Sequence, residues 1–324
     1  MFITDSKPIL VIGVGGCGCS TLQALKKKHD FAEIRFLAIN TDLRSLRGNV
    51  ADDTIQIGQS LTNNLGAGAN PDVGRLAAIE SEAEISKAIE QASIIFMTAG
   101  MGGGTGTGAI SEVARIAQTH NIPVIALVTK PFSFEGMKKA RFAEEGINAL
   151  QQYCNALVVL PNDRLSKVLG GKVRLIDAFK ISNQLLLDTL SGLSFMLSVT
   201  GLINIDISDF KTVIHTQGFA SVGMAKAKNA SDIETAINRI LDNPLVENID
   251  ISSAKGTIIN IVSQHELALD TYHLIGNIIQ QRISAEANLI VGLTIDPTIK
   301  NAIEVFLLTT GIAFNPKPIL QVCG

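Results

Sequence analysis

The sequence predicts a doubly wound parallel-sheet α/β domain, a long central helix and a second, smaller α/β domain. Three observations carry that reading. Continuous apolar runs alternate with helical periodicities as far as about residue 170, the pattern of a parallel sheet covered on both faces. Residues 93–119, SIIFMTAGMGGGTGTGAISEVARIAQT, pass from an apolar strand through six glycines into a helix. From Leu175 to about Val199, Ile176, Phe179, Leu186, Leu190, Leu193 and Leu197 recur at helical spacing. The second half of that helix is apolar nearly all round, so it is expected to be buried on several sides.

Composition sets outer bounds. At 324 residues, 46% hydrophobic and 18% charged, the chain has ample material for buried cores in one large or two ordinary domains. Net charge is −3 and the basic residues form no stripe, which argues against nucleic acid as a partner. Lys26-Lys27-Lys28 reads as the solvated end of a helix. No apolar run approaches the roughly 18 residues that a membrane span needs, so direct membrane insertion is not expected. Lys7 followed by ILVIGVGGC imitates an export signal ahead of Cys17, yet cleavage there would remove the first strand and its glycine loop. Cys17, Cys19, Cys154 and Cys323 show no disulfide framework, and the histidines no metal-ligand spacing. Reduced thiols, a cytoplasmic location and no protein-built metal centre are the expectation.

Taken in order, residues 9–14 (ILVIGV) read as a buried strand that runs through Gly13-Val14-Gly15-Gly16-Cys17-Gly18 into a helix from about Ser20 to Lys28. A strand over Ile34 to Ile39 ends in Asn40-Thr41-Asp42, where a dinucleotide-binding fold places its ribose carboxylate. That stretch alone suggests an NAD-linked dehydrogenase. Two further glycine loops do not fit that guess. Gly66-Ala67-Gly68-Ala69-Asn70-Pro71 leads into a helix, and Gly102-Gly103-Gly104-Thr105-Gly106-Thr107-Gly108 leads into another. Glycines let successive N–H groups approach one ligand, the helix N-terminus adds its positive dipole end, and two threonine hydroxyls add donors. Three such loops suit a triphosphate better than a single pyrophosphate.

Strands follow over Pro123 to Val128 and Ala156 to Leu160, with a helix over about Lys138 to Gln151 between them. Beyond the central helix, a loop containing Asn204, Asp206 and Asp209 opens another helix near Phe210. Asp206 and Asp209 are acceptors that could orient water, and either one, or Ser208, could equally cap that helix. Strands at Thr257 to Ser263, Asn288 to Ile295 and Val305 to Thr310, with helices at about Asp232 to Leu241 and Glu266 to Ile283, complete the second domain. The division expected is 1–174, a central helix 175–199, a second domain 200–315 and a short extension 316–324.

The motifs GVGGCGCS, AINTD, LGAGANP, AGMGGGTGTGA, TKPFSFEG, LPND and GLINIDISDFKTV resemble, in order and spacing, those of the FtsZ family, the bacterial and archaeal relatives of tubulin. NPLVENIDISSAKG and GLTIDP resemble the second domain of that family. The similarity covers about residues 9 to 311. It implies a self-assembling GTPase with a cytoskeletal role in cell division and septation, whose subunits stack head to tail with GTP or GDP at the interface. Carried over by position, Gly15, Gly16, Cys17 and Gly18 would contact the α/β-phosphates, and Ala67, Gly68, Ala69 and Asn70 would lie near the γ-phosphate. Gly102 to Gly108 would form the main cradle, Glu135 would bind ribose, Phe179 would stack on the base and Asn183 would read its edge. Asn204, Asp206 and Asp209 would act in trans on the next subunit's nucleotide. Mg²⁺ would be held mainly by phosphate oxygens. Besides copies of itself, other family subunits or division proteins are the implied partners.

The chain departs from the family pattern in three places. Ser20 stands where the family carries an asparagine of the nucleoside pocket, which loosens the expected guanine selectivity. Lys139 replaces an arginine and loses bidentate phosphate recognition, so slower hydrolysis is expected. The sequence stops soon after the second domain, being either truncated or that of a tail-less member, so tethering through the family's C-terminal peptide is not expected. Ser20 and Lys139 leave one rival to the GTPase, a nucleotide-binding filament relative with little turnover; the first glycine loop alone supports another, an NAD-dependent oxidoreductase.

Overall fold

Strands β1 (Ile9–Val14) and β4 (Ile94–Gly100) run parallel and in contact, and nearly every side chain in both is buried. The structure, a computed structural model, describes residues 9–28, 34–164, 174–215, 218–242, 250–300 and 302–313. Outside β1 lie β2 (Ile34–Asn40) and β3 (Asp53–Gln56); outside β4 lie β5 (Val124–Lys130) and β6 (Ala156–Pro161). The order β3-β2-β1-β4-β5-β6 is parallel throughout. It reverses between β1 and β4, and the crevice outside their carboxyl ends is where such sheets take ligands.

The period of two in each strand divides the core. Leu10, Ile12 and Val14 join the cluster containing Ala77, Ile85, Ile110, Val113 and Ile147. These come from α4 (Pro71–Glu80), α5 (Glu82–Ile89), α6 (Thr105–Thr119) and α7 (Met137–Gln151). Ile9 and Val11 face the opposite cluster, with Leu22 and Leu25 of α1 (Gly15–Lys28) and Leu186, Leu190 and Leu193 of α8 (Leu175–Ser198). Two single-turn helices, α2 (Leu43–Leu46) and α3 (Gln59–Thr62), sit in the connections. Leu186, Leu190 and Leu193 are fully buried, each contributing roughly 2 kcal/mol of burial. The near-uniform apolarity of α8 is thus explained by contact with both halves of the molecule. Its Gly192 lies so close to Phe306 that an added Cβ would come within 2.3 Å of the ring.

The second half contains α9 (Ile207–Ile214), β7 (Gly218–Ala227), α10 (Ile233–Leu241), β8 (Gly256–Ser263), α11 (Leu269–Gln280), β9 (Asn288–Ile295) and β10 (Ile303–Ile312). β10 pairs antiparallel with β7 and β8, and β8 runs parallel to β9. β7 also meets β6 at Ala156–Gly218 and Leu157–Phe219, so the two sheets are continuous as ten strands. Sequence patterning misses β3 and β7. The first is short and polar at an edge, and the second alternates small residues with weak contrast. Lys26 and Lys28 are not merely solvated: Lys26 pairs with Asp52, and Lys28 lies 3.2 Å from Asp188, tying α1 to α8. The extension 316–324, with Cys323, lies outside the described residues.

Candidate nucleotide-binding site

A cleft of about 470 Å³ opens at the carboxyl ends of β1 and β4. Its floor is glycine backbone. Gly15 turns the chain from β1 into α1 at φ +71°, and a Cβ there would stand 2.8 Å from the Gly106 nitrogen, so the first and third glycine loops touch. Gly16, Cys17 and Ser20 line the cleft, whereas Gly15 and Gly18 are buried in its wall. In the third loop the Met101 N–H donates to the Thr129 carbonyl and the Gly102 N–H to Thr107 Oγ1 at 2.8 Å. Those bonds set the arc of Gly102, Gly103 and Gly104. Thr105 and Gly106 then open α6, where first-turn N–H groups have no partner within the helix and the dipole end is positive. Thr105 Oγ1 is fixed 2.6 Å from Thr41 Oγ1.

Not every glycine-loop residue reaches the cleft. The Thr107 hydroxyl accepts from Gly102 and braces the loop from behind. Gly108 donates its N–H to the Gly104 carbonyl, and a Cβ there would fall 1.9 Å from the Pro71 carbonyl oxygen, so it exists to let α4 and α6 close. The second loop buttresses the third: a Cβ on Gly104 would meet Ala67 Cβ at 2.8 Å and Asn70 N at 2.9 Å. Gly66, Gly68 and Ala69 all have positive φ there, and the Asn70 side chain caps α4 by accepting from the Asp72 N–H. Asp42 is not among the lining residues. Its carboxylate caps α2, accepting from Arg44 N–H and Ser45 Oγ.

Polar and aromatic groups close the sides. Glu135 accepts from the Phe132 N–H at 2.9 Å and holds Lys139 Nζ at 2.9 Å. Phe179 presents a partly exposed ring, with Phe132 packed edge-on at 5.0 Å. Asn183 lies one turn along the same helix. Sequence reasoning misses Thr129, Pro131, Asn162 and Ser182, all of which line the cleft; Met101, expected as core filler beside the loop, is buried in the core beneath it. Asn162 stands directly after β6, and a residue at a strand's carboxyl end is the one signal that points to it. Among the described residues, no group of three or more His, Cys, Asp or Glu side chains is placed to hold a metal ion. No helix among the described residues is long and apolar enough to cross a membrane.

Burial pushes the Cys17 thiol above its usual range, with hydrogen bonds to Thr129 and Thr21 opposing it weakly. Burial pushes Cys19 and Cys154 up to about 12. The thiolate is the reactive form. Alkylation of Cys17 by iodoacetamide is therefore expected to keep accelerating with pH beyond the usual thiol range near 8.5, and to slow when GDP fills the cleft. Mass-spectrometric labelling rates check this. A plateau near pH 8, or no protection by GDP, would contradict it.

Asn204, Asp206 and Asp209 are exposed and absent from the cleft lining. α8 separates them from it: Phe179, Ser182 and Asn183 near its first turns face the cleft, while the loop follows its far end. The 24 residues of α8 span about 36 Å. These residues cannot reach the cleft of their own chain. Asp206 caps α9 by accepting from the Asp209 N–H at 2.7 Å, and Asn204 Oδ1 accepts from the Gly201 N–H at 2.6 Å. The Asp209 carboxylate has no partner among the described residues. Exposed apolar side chains flank both ends: Leu65, Phe134, Met137 and Ile176 near the cleft, and Val199, Leu202, Ile203 and Ile295 near the loop.

Residues 8–170 match the model of the tubulin/FtsZ family GTPase domain, and residues 218–313 that of the FtsZ family C-terminal domain. The chain is 37% identical over 320 residues to the cell division protein FtsZ of Wigglesworthia glossinidia brevipalpis, covering 99% of this chain and 83% of that one. It is 39% identical to the Haemophilus influenzae protein of the same name, covering 94% of this chain and 77% of the relative. An M. jannaschii structure described as an empty FtsZ dimer superposes with a TM-score of 0.88 at 33% identity, covering 98% of this chain and 95% of that one. These similarities favour the GTPase over the low-turnover relative and over the oxidoreductase.

Proposed function

This chain belongs to the tubulin/FtsZ family of GTPases, and from that premise we propose that its subunits stack head to tail, the loop after α8 of one completing the GTP site of the next. It binds GTP or GDP, hydrolyses GTP and self-associates as a division cytoskeleton protein. The carrying observation is separation: Asn204, Asp206 and Asp209 lie at the opposite end of α8 from the cleft they would serve.

Phosphate oxygens would sit against the N–H groups of Gly16 and Gly103 to Gly106, where oriented dipoles neutralise charge without reorganising. Lys139 would exchange Glu135 for a phosphate oxygen, freeing Glu135 for a ribose hydroxyl. Asp209 of the neighbouring subunit would hold the attacking water, with Asp206 and Asn204 fixing the loop that carries it. The cleft offers N–H donors and one carboxylate already held by Lys139, a donor set that fits Mg²⁺ only through phosphate oxygens. When bound, the ion would supply further charge neutralisation. The unit boundaries 1–174, 175–199 and 200–315, a cytoplasmic location and encounters with other division proteins belong to this same reading.

Two unlike apolar surfaces at opposite ends favour a heterologous, head-to-tail interface, in which the patch of one subunit meets a different patch of the next. Met137→Cys subunits mixed with Leu202→Cys subunits are expected to link through a bis-maleimide in GTP but not in its absence. Linkage of Met137→Cys subunits to one another instead would contradict head-to-tail stacking.

A further inference from the structure

Of the two threonines in the third glycine loop, Thr107 is committed to the Gly102 N–H, and Thr105 is the one that lines the cleft. Thr105 opens α6, partly exposed at the positive end of the helix. Its Oγ1 stands 2.6 Å from Oγ1 of Thr41, and either atom can donate. Thr41 itself cannot meet a ligand. It is 0% exposed and absent from the cleft lining, and Thr105 is the one partner of its hydroxyl among the described residues. Its backbone is held as firmly: the Thr41 N–H donates to Asn40 Oδ1 at 2.9 Å, and Asp42 bridges to Leu65. A Cβ on Gly66 would lie 3.8 Å from the Thr41 oxygen, so the second glycine loop covers this hydroxyl while the third presents its partner.

A hydroxyl has one proton and two lone pairs, whereas a phosphate oxygen only accepts. When a phosphate occupies the N-terminus of α6, Thr105 donates to it, and the Thr105 oxygen is left to accept from Thr41. Thr41 to Thr105 to phosphate is then the one order that satisfies both hydroxyls. A hydroxyl that accepts one bond becomes the stronger donor in the next. Valine at position 41 would fill the same volume without the hydroxyl and leave no room for a water in its place.

We propose that Thr41 is a positioning residue for phosphate binding: it donates to Thr105 and so aims the Thr105 hydroxyl proton at the ligand. This rests on the reading of the cleft as a nucleotide site. The test is calorimetric titration of the nucleotide-free full chain with GDP in Mg²⁺, for each single variant and for the double variant. Thr105→Val is expected to weaken GDP binding by about tenfold or more, through loss of a bond to a charged acceptor. Thr41→Val is expected to weaken it by about fivefold, and Thr41→Ser to restore it to within about twofold of wild type. In a Thr105→Val background, Thr41→Val should change the affinity by less than about twofold, because its effect passes through Thr105. A merely structural role would give losses that multiply. Multiplying losses, a Thr41→Val variant within about twofold of wild type, or a Thr41→Ser variant as weak as Thr41→Val would each overturn the proposal. Should Thr41→Val fail to fold, Thr41→Cys, whose thiol donates only weakly, takes its place under the same criteria. Absence of saturable GDP binding to wild type would overturn the nucleotide reading itself and this inference with it, a result distinct from GDP binding that is indifferent to position 41.

Discussion

Asp209→Ala is expected to bind GTP normally and still pellet with GTP, while its turnover falls by about a hundredfold or more. The structure makes this substitution clean. Asp206, not Asp209, supplies the N-cap of α9, and the Asp209 side chain is exposed with no partner among the described residues. Its loss should cost within about 0.5 kcal/mol of stability. Asp206→Ala would confound the two roles, since losing a cap costs about 1 kcal/mol. A phosphate-release assay beside a thermal melt separates them. Turnover within about threefold of wild type would remove Asp209 from the chemistry.

Gly15→Val is expected to abolish nucleotide binding and lower stability by about 2 to 4 kcal/mol. A β-branched residue at φ +71° is itself strained, and its Cβ would be driven to 2.8 Å from the Gly106 nitrogen. The two loops that meet at that point would be forced apart, and their N–H groups would no longer converge on one phosphate. GDP should raise the melting temperature of wild type and leave that of the variant unmoved. A variant that binds GDP within about threefold of wild type would show that contact between the loops is unimportant.

Strand and helix identity were legible wherever burial was one- or two-sided and contrast was strong. β1 and β4 announce themselves as continuous apolar runs, and α8 by the nearly all-round apolarity of its second half. β7 did not, because its small residues carry little hydrophobic contrast, and its place was decided by β6 and β10. The glycine loops marked the cleft but not the job of each glycine. Gly16 lines it, while Gly108 exists for the Pro71 carbonyl, a difference set by a neighbour distant in sequence. Asp42 looks like a ribose ligand from its distance along the chain, yet its carboxylate is the N-cap of the four-residue helix α2. Capping and catalysis are indistinguishable for Asp206 and Asp209 in sequence; hydrogen-bond partners assign the cap to Asp206, which leaves the Asp209 carboxylate for the catalytic role proposed above.

The most direct test of an active site shared between subunits is GTP hydrolysis per subunit measured against protein concentration, with pelleting of the same samples. The expected result is negligible turnover below a critical concentration, then a per-subunit rate that rises together with the pelleted fraction. A rate per subunit that stays constant as the protein is diluted below the pelleting threshold would mean that each cleft works alone, and would contradict the account.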